Sequence, residues 1–184
     1  CLDNLSTGLK KNIKQFQDNP NYTFIEGDVR DISILEEQIK ACDSVFHMAA
    51  AVGVEYILNN PLTTISVNVK GTHNILELCS KYNKRVMIFS TSEVYGKNSK
   101  LPFNEEDDRI MGSTQKLRWA YASTKALDEF LAIAYNREKN LDVTIVRLFN
   151  TVGVGQVSDY GMVIPRFIKQ AISNENITVY GDGS

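Results

Sequence analysis

The sequence is short of the residues that build disulfide frameworks and metal sites. Its three cysteines, Cys1, Cys42 and Cys79, lie far apart and form no CxxC pair, so neither a disulfide framework nor a zinc site is indicated. Its two histidines, His47 and His73, have no carboxylate or cysteine at ligand spacing, so we expect no metal site. This cysteine usage favours a reducing, cytoplasmic setting.

An excess of one charge and a long hydrophobic run are also absent. The chain has 20 basic and 22 acidic residues, a formal net charge of −2, and no basic block, so we expect no nucleic-acid partner. No apolar run approaches the roughly 18 residues that span a bilayer, so we expect no membrane partner either. What remains, 184 residues with 43% hydrophobic content, is the ordinary composition of a globular domain.

Short apolar runs rich in β-branched and aromatic residues alternate with longer segments of helical period. This order is typical of βαβ units and a mostly parallel sheet. We predict strands over 22–29, 44–50, 85–92, 143–150 and 177–181. We predict helices over Ile32–Lys40, Pro61–Tyr82, Tyr121–Lys139 and Val163–Asn174. The polar segment 98–118 is predicted to be a long loop, and loops of that length are usually functional or disordered.

Spacings of three and four residues predict the buried faces of the two longest helices. In the helix over 61–82 the predicted buried stripe is Ile65, Val69, His73 and Leu76. In the helix over 121–139 it is Leu127, Phe130, Leu131 and Ala134, with Asp128 and Glu129 on wetter sides.

Polar residues stand where four of the predicted strands end. They are Asp28, 47–51, 90–93 and Asn150. At one strand alone, a polar residue where the strand meets water explains this equally well. Four in succession favour a shared site, because ligands of open parallel sheets collect beyond the carboxyl ends of the strands.

Tyr121 and Lys125, four residues apart in "YASTK", are predicted to project from one helix face. An ammonium near a phenol favours the phenolate, so we expect the Tyr121 pKa to lie below its usual value of about 10. The tyrosine could then accept a proton from a substrate hydroxyl that Ser92 orients. The YxxxK spacing is weak evidence alone, and the preceding strand that ends in "STS" strengthens it.

A series of motifs runs in order along the chain: "LDNLSTG", "FIEGDVRD", "VFHMAA", "NVKGTHNILE", "FSTSEVYG", "YASTK", "RLFNTVG" and "ITVYGDGS". Together they resemble the extended short-chain dehydrogenase/reductases, specifically the NAD-dependent nucleotide-sugar epimerase/dehydratase family. The resemblance implies an α/β fold with a Rossmann-like, doubly wound, mostly parallel sheet flanked by helices. It implies an NAD-binding domain over 1–150 and the start of a smaller substrate-binding region over 151–184.

The resemblance also assigns residues to the cofactor NAD. Asp3 matches the carboxylate that holds the adenosine ribose hydroxyls and disfavours a 2′-phosphate, and Ala49 and Ala50 match small residues that let the backbone approach the cofactor. Asn68 matches an asparagine for which a structural role is equally open. The full cofactor set implied is Asp3, Asn4, Asp28, Val29, Ala49, Ala50, Asn68, Ser90, Tyr121 and Lys125.

The same matching gives a catalytic group and a substrate group. The catalytic group is Thr91, Ser92, Glu93, Tyr121 and Lys125, with Tyr121 as the base and Lys125 on the nicotinamide ribose. The substrate is implied to be a nucleotide-diphosphate sugar. Its contacts are implied to be Ser92, Glu93, Asn150, Val163 and Phe167.

Glu93 discriminates among the family's reactions, which all begin with oxidation to a 4-keto sugar. Dehydratases and UDP-glucuronate decarboxylases usually place a glutamate beside the tyrosine, whereas simple 4-epimerases more often carry a small residue. We therefore lean towards a glutamate-assisted reaction, with a UDP-sugar 4-epimerase as the alternative. A non-catalytic dinucleotide-sensing protein is the alternative of another class, although such descendants tend to lose the tyrosine or lysine.

The chain departs from the family pattern at two places. Val154 and Gly155 follow Gly153 where the family usually has Pro and Arg, which leaves a diphosphate-side arginine unassigned. The Gly-rich loop and its central strand are absent, so we expect a split sheet, roughly 30 further residues before Cys1 and a continuation after Ser184. The family's pairing of two helices per subunit further implies a homodimer through the helices at 61–82 and 121–139.

Overall fold

The computed structural model describes residues 1–156, 162–179 and 181–182 as a mixed α/β fold. The strands are β1 (Leu2–Asp3), β2 (Ile25–Glu26), β3 (Ser44–His47), β4 (Arg85–Thr91) and β5 (Val143–Leu148). The helices are α1 (Ile32–Ala41), α2 (Val54–Asn59), α3 (Pro61–Ile65), α4 (Gly71–Lys81), α5 (Trp119–Lys139) and α6 (Val163–Ile172). A π-helical segment, Ser66–Lys70, joins α3 to α4, and 3₁₀ turns cover Lys10–Phe16 and Ser92–Tyr95.

The strands pair in parallel, which confirms the predicted fold class. β4 is central in a three-stranded sheet of order β3-β4-β5, with Val86 opposite Val45 and Val143. Val86, Ile88 and Ser90 of β4 are buried. Helices cover both faces of a parallel sheet. The last buried residue of β4 is Ser90, so the carboxyl end of the strand, at Thr91, lies at the edge of the core.

The sheet is split between β1 and β3, as predicted for a chain without the Gly-rich strand. In the part of the chain that the structure describes, β1 pairs only with β2 and β3 pairs only with β4. The β1–β2 pairing covers two residues of each strand. The strand predicted over 22–29 is shorter than expected, because a parallel strand extends only as far as its partner.

One apolar core lies between the three-stranded sheet and helices α1, α4 and α5. Its fully buried members come from every layer: Leu35, Ile39, Ile75, Leu76, Leu78, Cys79, Val86, Ile88, Ala132 and Leu141. Helix α1 begins where Asp31 caps it by accepting from the backbone N–H groups of Ser33 and Ile34, since these donors have no partner inside the helix. Helix α5 ends where Asn140 takes a left-handed conformation, a common helix stop.

The region predicted as one helix over 61–82 is helical throughout but consists of α3, the π segment and α4. A π-helical turn holds more residues than an α-helical turn. The side chains of α3 and α4 are therefore rotated relative to each other, compared with one continuous α-helix. Helix α2 is missed by sequence reasoning, because "VGVEYILNN" is short, contains Gly53 and reads as an apolar loop.

The predicted buried stripes are only partly right: Leu76 is fully buried and Leu131 packs against the core, but other predicted members are exposed. His73 is exposed and Ile65 is 42% exposed, whereas Asn68 is fully buried. In α5, Leu127 and Phe130 are 44% and 61% exposed, while Asp128 and Glu129 are buried. Each carboxylate is buried because it pairs with a cation, Asp128 with Lys125 and Glu129 with Arg147.

The remaining predictions fall outside the main sheet. The segment 98–118 has no helix or strand of its own apart from an isolated bridge between Gly96 and Ile110, so it is the predicted loop. The strand predicted over 177–181 is not formed at 177–179, and residue 180 lies outside the described residues. Thr178 instead bonds to the side chain of Gln170. The domain boundary at residue 150 stays a prediction.

Candidate functional site

A cavity of about 170 Å³ opens beyond the carboxyl ends of β1, β2 and β3. It brings together five of the ten predicted cofactor residues: Asp3, Asn4, Val29, Ala49 and Ala50. They come from three separate strand ends, which converge because the strands are parallel. Of the four strand-end groups predicted to share a site, only the group at 47–51 lines this cavity, through Ala49, Ala50 and Ala51, whereas Asp28, residues 90–93 and Asn150 do not line it.

Asp28 stands beside the cavity and organises its rim. Its carboxylate accepts hydrogen bonds from Asn4 Nδ2 at 3.0 Å and from Arg30 Nη2 at 2.7 Å and Nε at 2.8 Å. The side-chain bonds from Arg30, more than any other contact, hold the Asp28 pKa far below its usual range. Asp28 therefore stays ionised and fixes Arg30 against the cavity.

Sequence reasoning missed several residues that line the same cavity. Arg30 and Tyr56 are the largest, and Ser6, Thr7, Thr63 and Val67 complete this part of the wall. The arginine had a signal, since it follows Asp28 in "GDVRD" and can pair with that carboxylate. Tyr56 had none, because it lies on the unpredicted helix α2.

Asn68 lies fully buried on the π segment and joins three elements. Its Oδ1 accepts from the backbone N–H of Ala51 at 2.9 Å, and its Nδ2 donates to Thr124 Oγ1 on α5 at 3.0 Å. The amide thus holds the loop after β3, whose residues line the cavity, against the helix that carries Tyr121 and Lys125. This geometry matches the structural role that the sequence left open.

Tyr121 lies with Thr91 and Glu93 at the carboxyl end of β4. The Thr91 side chain hydrogen-bonds the phenol, and the Glu93 carboxylate is near enough to raise the Tyr121 pKa. Thr91 Oγ1 also accepts from the Glu93 backbone N–H at 3.2 Å, which fixes the 3₁₀ turn that Ser92 begins. Ser92 is half-buried and Glu93 is exposed.

The expected lowering of the Tyr121 pKa is wrong for this chain. Burial raises it, the charges of Glu93 and Asp128 raise it further, and the pKa reaches about 12 despite the Thr91 hydrogen bond. Lys125 is not among the groups that lower it. Its ammonium is paired with Asp128, Nζ to Oδ2 at 3.0 Å, with side-chain exposures of 2% and 0%. The YxxxK spacing predicted the shared face correctly but could not reveal the buried carboxylate one turn further on.

Ser90 is directed to the opposite side of β4. It is buried and donates to Glu129 Oε1, which also accepts from Arg147 Nε at 3.0 Å. The hydroxyl of this predicted cofactor residue is therefore engaged within the core, and any cofactor contact would fall to its backbone.

The predicted substrate residues after β5 lie apart from the first cavity. Asn150 and Val163 are exposed and Phe167 is half-buried. A second, wide-open cavity of about 470 Å³ lies between residues 152–156 and α6. Gly155 of this loop accepts from Asn12 Nδ2 at 3.1 Å, so the loop after β5 touches the turn that follows β1.

Comparison with known proteins identifies the family. A family model described as the NAD dependent epimerase/dehydratase family matches residues 2–184. The chain belongs to this family. A curated relative, the UDP-N-acetyl-alpha-D-glucosaminuronate decarboxylase of Bacillus cytotoxicus, is 40% identical over 183 residues, which are 99% of this chain and 56% of that protein.

Two solved structures of family members are similar in fold. DesIV, the dTDP-glucose 4,6-dehydratase from Streptomyces venezuelae solved with NAD bound, has a TM-score of 0.89 and 30% identity over 99% of this chain and 55% of its own. The UDP-N-acetylglucosamine 4-epimerase from Methanobrevibacter ruminantium has a TM-score of 0.85 and 33% identity over 99% and 57%. The chain spans about half the length of the curated relatives it matches.

NAD is the cofactor of this family, and the first cavity fits its adenosine half. Asp3 holds a carboxylate at the rim by accepting from the Leu5 N–H at 2.7 Å, and a carboxylate there can accept from ribose hydroxyls. The methyl side chains of Ala49 and Ala50 leave the neighbouring backbone open to a ligand.

The described residues offer neither a metal centre nor a membrane-spanning helix. Over residues 1–156, 162–179 and 181–182, no group of three or more His, Cys, Asp and Glu side chains could hold a metal ion. Within the same residues, none of the helices combines the length and apolar character that a bilayer crossing requires.

Proposed function

We propose that the protein containing this chain uses NAD to oxidise a nucleotide-diphosphate sugar at C4 and then completes a glutamate-assisted reaction, with a UDP-hexuronate as substrate and decarboxylation as the outcome. The observation that carries the proposal is the grouping of Tyr121, Thr91 and Glu93 at the carboxyl end of β4. The similarity to a decarboxylase of Bacillus cytotoxicus at 40% identity favours this outcome.

Tyr121 is the group that exchanges a proton with the C4 hydroxyl, because its phenol lies with Thr91 and Glu93 at this strand end. Its pKa of about 12 keeps the phenol protonated in this chain at neutral pH, so the reaction requires that substrate and cofactor binding ionise it. When bound, NAD would supply the hydride acceptor for C4 and, after CO₂ is lost and C5 is protonated, the hydride donor that reduces the 4-keto group to give a UDP-pentose. The C6 carboxylate of a hexuronate is then β to a ketone, so CO₂ leaves and its bonding electrons move to the C4 oxygen. The Tyr121 phenol and the Thr91 hydroxyl are placed to donate hydrogen bonds to that oxygen.

Glu93 separates the proposed reaction from simple epimerisation. Its carboxylate stands next to the phenol on a turn fixed by Thr91, where it can hold or move a proton at C5 after CO₂ is lost. An epimerase needs no such group, because the keto sugar only turns over and regains hydride on its other face.

The test uses protein of full natural length with UDP-hexuronates, UDP-hexoses and dTDP-glucose. We expect CO₂ release and a UDP-pentose, read by sugar NMR, together with transient NADH absorbance. Tyr121→Phe should lower kcat at least about 100-fold. Glu93→Gln should slow product formation more than NADH formation, and the exposed Glu138→Gln on α5 is the matched control. Absence of CO₂ and of NADH with every sugar would refute the proposal.

A UDP-sugar 4-epimerase is the second candidate. The fold similarity to the UDP-N-acetylglucosamine 4-epimerase of Methanobrevibacter ruminantium, at 33% identity, favours it. Interconversion of C4 epimers without CO₂ release, and an unaffected Glu93→Gln variant, would establish this reaction in place of the first.

We also propose that the protein is a homodimer and that it is cytoplasmic. Five apolar side chains form an exposed surface on α3 and α5, here called the apolar helix face: Leu62, Ile65, Leu127, Phe130 and Ile133. These two helices lie within the ranges predicted to pair, and large exposed apolar patches mark interfaces. The free state of the three cysteines is consistent with a reducing compartment.

Sedimentation tests the homodimer. Phe130→Glu, at a position 61% exposed, should convert the dimer to monomer, whereas Leu101→Glu, in the 98–118 loop and 74% exposed, should leave the mass unchanged. A monomeric unaltered protein would exclude this interface. Fractionation of cells that carry the labelled protein tests the location.

A further inference from the structure

The Lys125–Asp128 pair is a buried feature that the proposed reaction leaves unexplained. Both side chains are essentially inaccessible, and Nζ lies 3.0 Å from Oδ2. The other carboxylate oxygen, Oδ1, is buried without a hydrogen-bond partner in the part of the chain that the structure describes. A half-satisfied buried carboxylate is costly, so the pair calls for an explanation beyond stability.

The pair stands among groups from three elements. His47 of β3 lies near enough for the Lys125 charge to lower its pKa, second to the effect of burial. Thr72 of α4 hydrogen-bonds the Asp128 carboxylate, and the Glu129 carboxylate on α5 lies nearby. Tyr121, one turn before Lys125, is affected by the Asp128 charge.

We propose that Asp128 is a positioning residue, which holds the Lys125 ammonium in a buried ion pair and so controls how much of its positive charge reaches the phenol of Tyr121. The aspartate is short and is fixed on α5, whereas the lysine has a four-carbon stem, so the ammonium is the partner that can turn away. The inference rests on the proposed function, in which Tyr121 must exchange a proton.

The electrostatics of the described residues agree with this assignment. Asp128 and Glu93 raise the Tyr121 pKa, while Lys125 does not contribute to lowering it. Removal of the Asp128 charge should therefore lower the Tyr121 pKa in two ways. It removes a negative charge that disfavours the phenolate, and it releases the Lys125 ammonium, whose positive charge favours the phenolate. Burial raises the Asp128 pKa to about 6, so the pair is present at neutral pH and is lost as Asp128 gains a proton in mild acid.

The test follows the phenolate absorbance of Tyr121 in protein of full natural length. The same protein with Tyr121→Phe is subtracted, so that only one tyrosine is read. Asp128→Asn should move the Tyr121 titration to lower pH by about one to three units, and Asp128→Glu should restore most of the original value. Addition of Lys125→Met to Asp128→Asn should abolish most of that shift. An unshifted titration in folded Asp128→Asn would overturn the inference, as would a shift that Lys125→Met leaves undiminished.

A second measurement needs no substitution and so does not depend on the variants folding. The Lys125 ammonium of the unaltered protein should resist hydrogen exchange at neutral pH and lose that protection as the pH falls through about 6. Protection that is retained down to pH 4, or is absent at neutral pH, would overturn the inference. Neither measurement requires catalytic turnover. A protein that makes no product could therefore still support the role of Asp128, and an active decarboxylase could still refute that role.

Discussion

At the scale of single residues, Asn68 connects the cavity wall to helix α5 through one side chain. Asn68→Ala leaves the Ala51 N–H and the Thr124 hydroxyl without this partner, and unsatisfied buried groups cost about 1 to 3 kcal/mol each. We expect a loss of about 3 kcal/mol in the free energy of unfolding, measured by urea denaturation. Asn59→Ala, at an exposed position of α2, is the control, and an equal loss there would contradict the assignment.

The sequence predicted the positions of such residues on helices and strands more accurately than their hydrogen-bond and ion-pair partners. The positions of Asn68, Tyr121 and Lys125 on helices followed from spacing, and small residues at 49 and 50 correctly predicted a cavity wall. The partners of Lys125 and Ser90 did not follow, because Asp128 and Glu129 are charged and hydropathy places charged residues in water. Their burial depends on cations supplied by the folded chain, and a periodicity pattern does not encode that pairing.

His47 makes stability depend on pH in a direction that can be measured. Burial and the Lys125 charge lower its pKa from 6.5 to about 3, so the folded protein keeps a neutral imidazole. The unfolded chain gains a proton as the pH falls below about 6.5. Stability from this group is therefore present above 6.5 and is lost as the pH falls towards 3.

His47→Gln removes this dependence while its amide can still bond to Thr72 Oγ1, which lies 2.9 Å from Nε2 in the unaltered chain. Between pH 6.5 and 4.5 we expect the variant to gain about 2 kcal/mol relative to the unaltered protein. Urea midpoints at several pH values give this difference directly. A difference that stays constant over the range would show that the His47 pKa is the same in the folded and unfolded states, which contradicts the prediction.

At the scale of elements, the pair between Glu129 and Arg147 joins α5 to β5. Arg147 Nη2 lies 2.7 Å from Glu129 Oε2, and the side chains are only 17% and 9% exposed. Loss of one partner leaves the other charge buried without a counter-charge, which costs about 3 to 5 kcal/mol. Arg147→Met should therefore destabilise the protein by about 3 kcal/mol in thermal or urea unfolding.

The control for Arg147 is an exposed pair on the same sheet. Arg85 and Asp142 lie 3.7 Å apart with side chains 71% and 70% exposed, and exposed pairs contribute little. Arg85→Met should leave the unfolding midpoint nearly unchanged. Equal effects of the two substitutions would show that burial does not decide the contribution of Arg147.

Gly96 determines how the 98–118 loop leaves the 3₁₀ turn over Ser92–Tyr95. Its φ is +67°, and an added Cβ would lie 2.3 Å from the carbonyl oxygen of Ile110, so any side chain strains the backbone and breaks the bridge to Ile110. Gly96→Ala should loosen the loop and its stacked Tyr95–Phe103 pair, read as a loss of near-ultraviolet circular dichroism. Gly153→Ala, where no atom lies within 4 Å, should leave that signal intact.

The element scale also shows where pattern reasoning fails. Strands β3, β4 and β5 were predicted near their true positions, because each is an apolar run with a partner. The run over 177–181 has the same composition but no partner strand at its described residues, and Val179 is 61% exposed. Strand formation depends on pairing, which composition alone does not provide.

At the scale of the whole molecule, the split leaves β1 and β3 each unpaired on one side within the described residues. An apolar strand added by design at the amino end could pair with both edges. We expect this extension to raise the urea midpoint and suppress light scattering, whereas a Gly/Ser extension of equal length should do neither. If both extensions behave alike, the two sheet edges are not the site of instability.

Because the two parts of the sheet are unequal in size, we expect them to open at different rates. The β1–β2 part is tied by two residues of each strand, whereas four residues of β4 pair with β3 and six pair with β5. Opening of the first thirty or so residues then costs far less than opening the remainder. Amides of Ile25 and Gly27 should exchange with deuterium in seconds to minutes while those of β4 persist, and a protease should cut this end first.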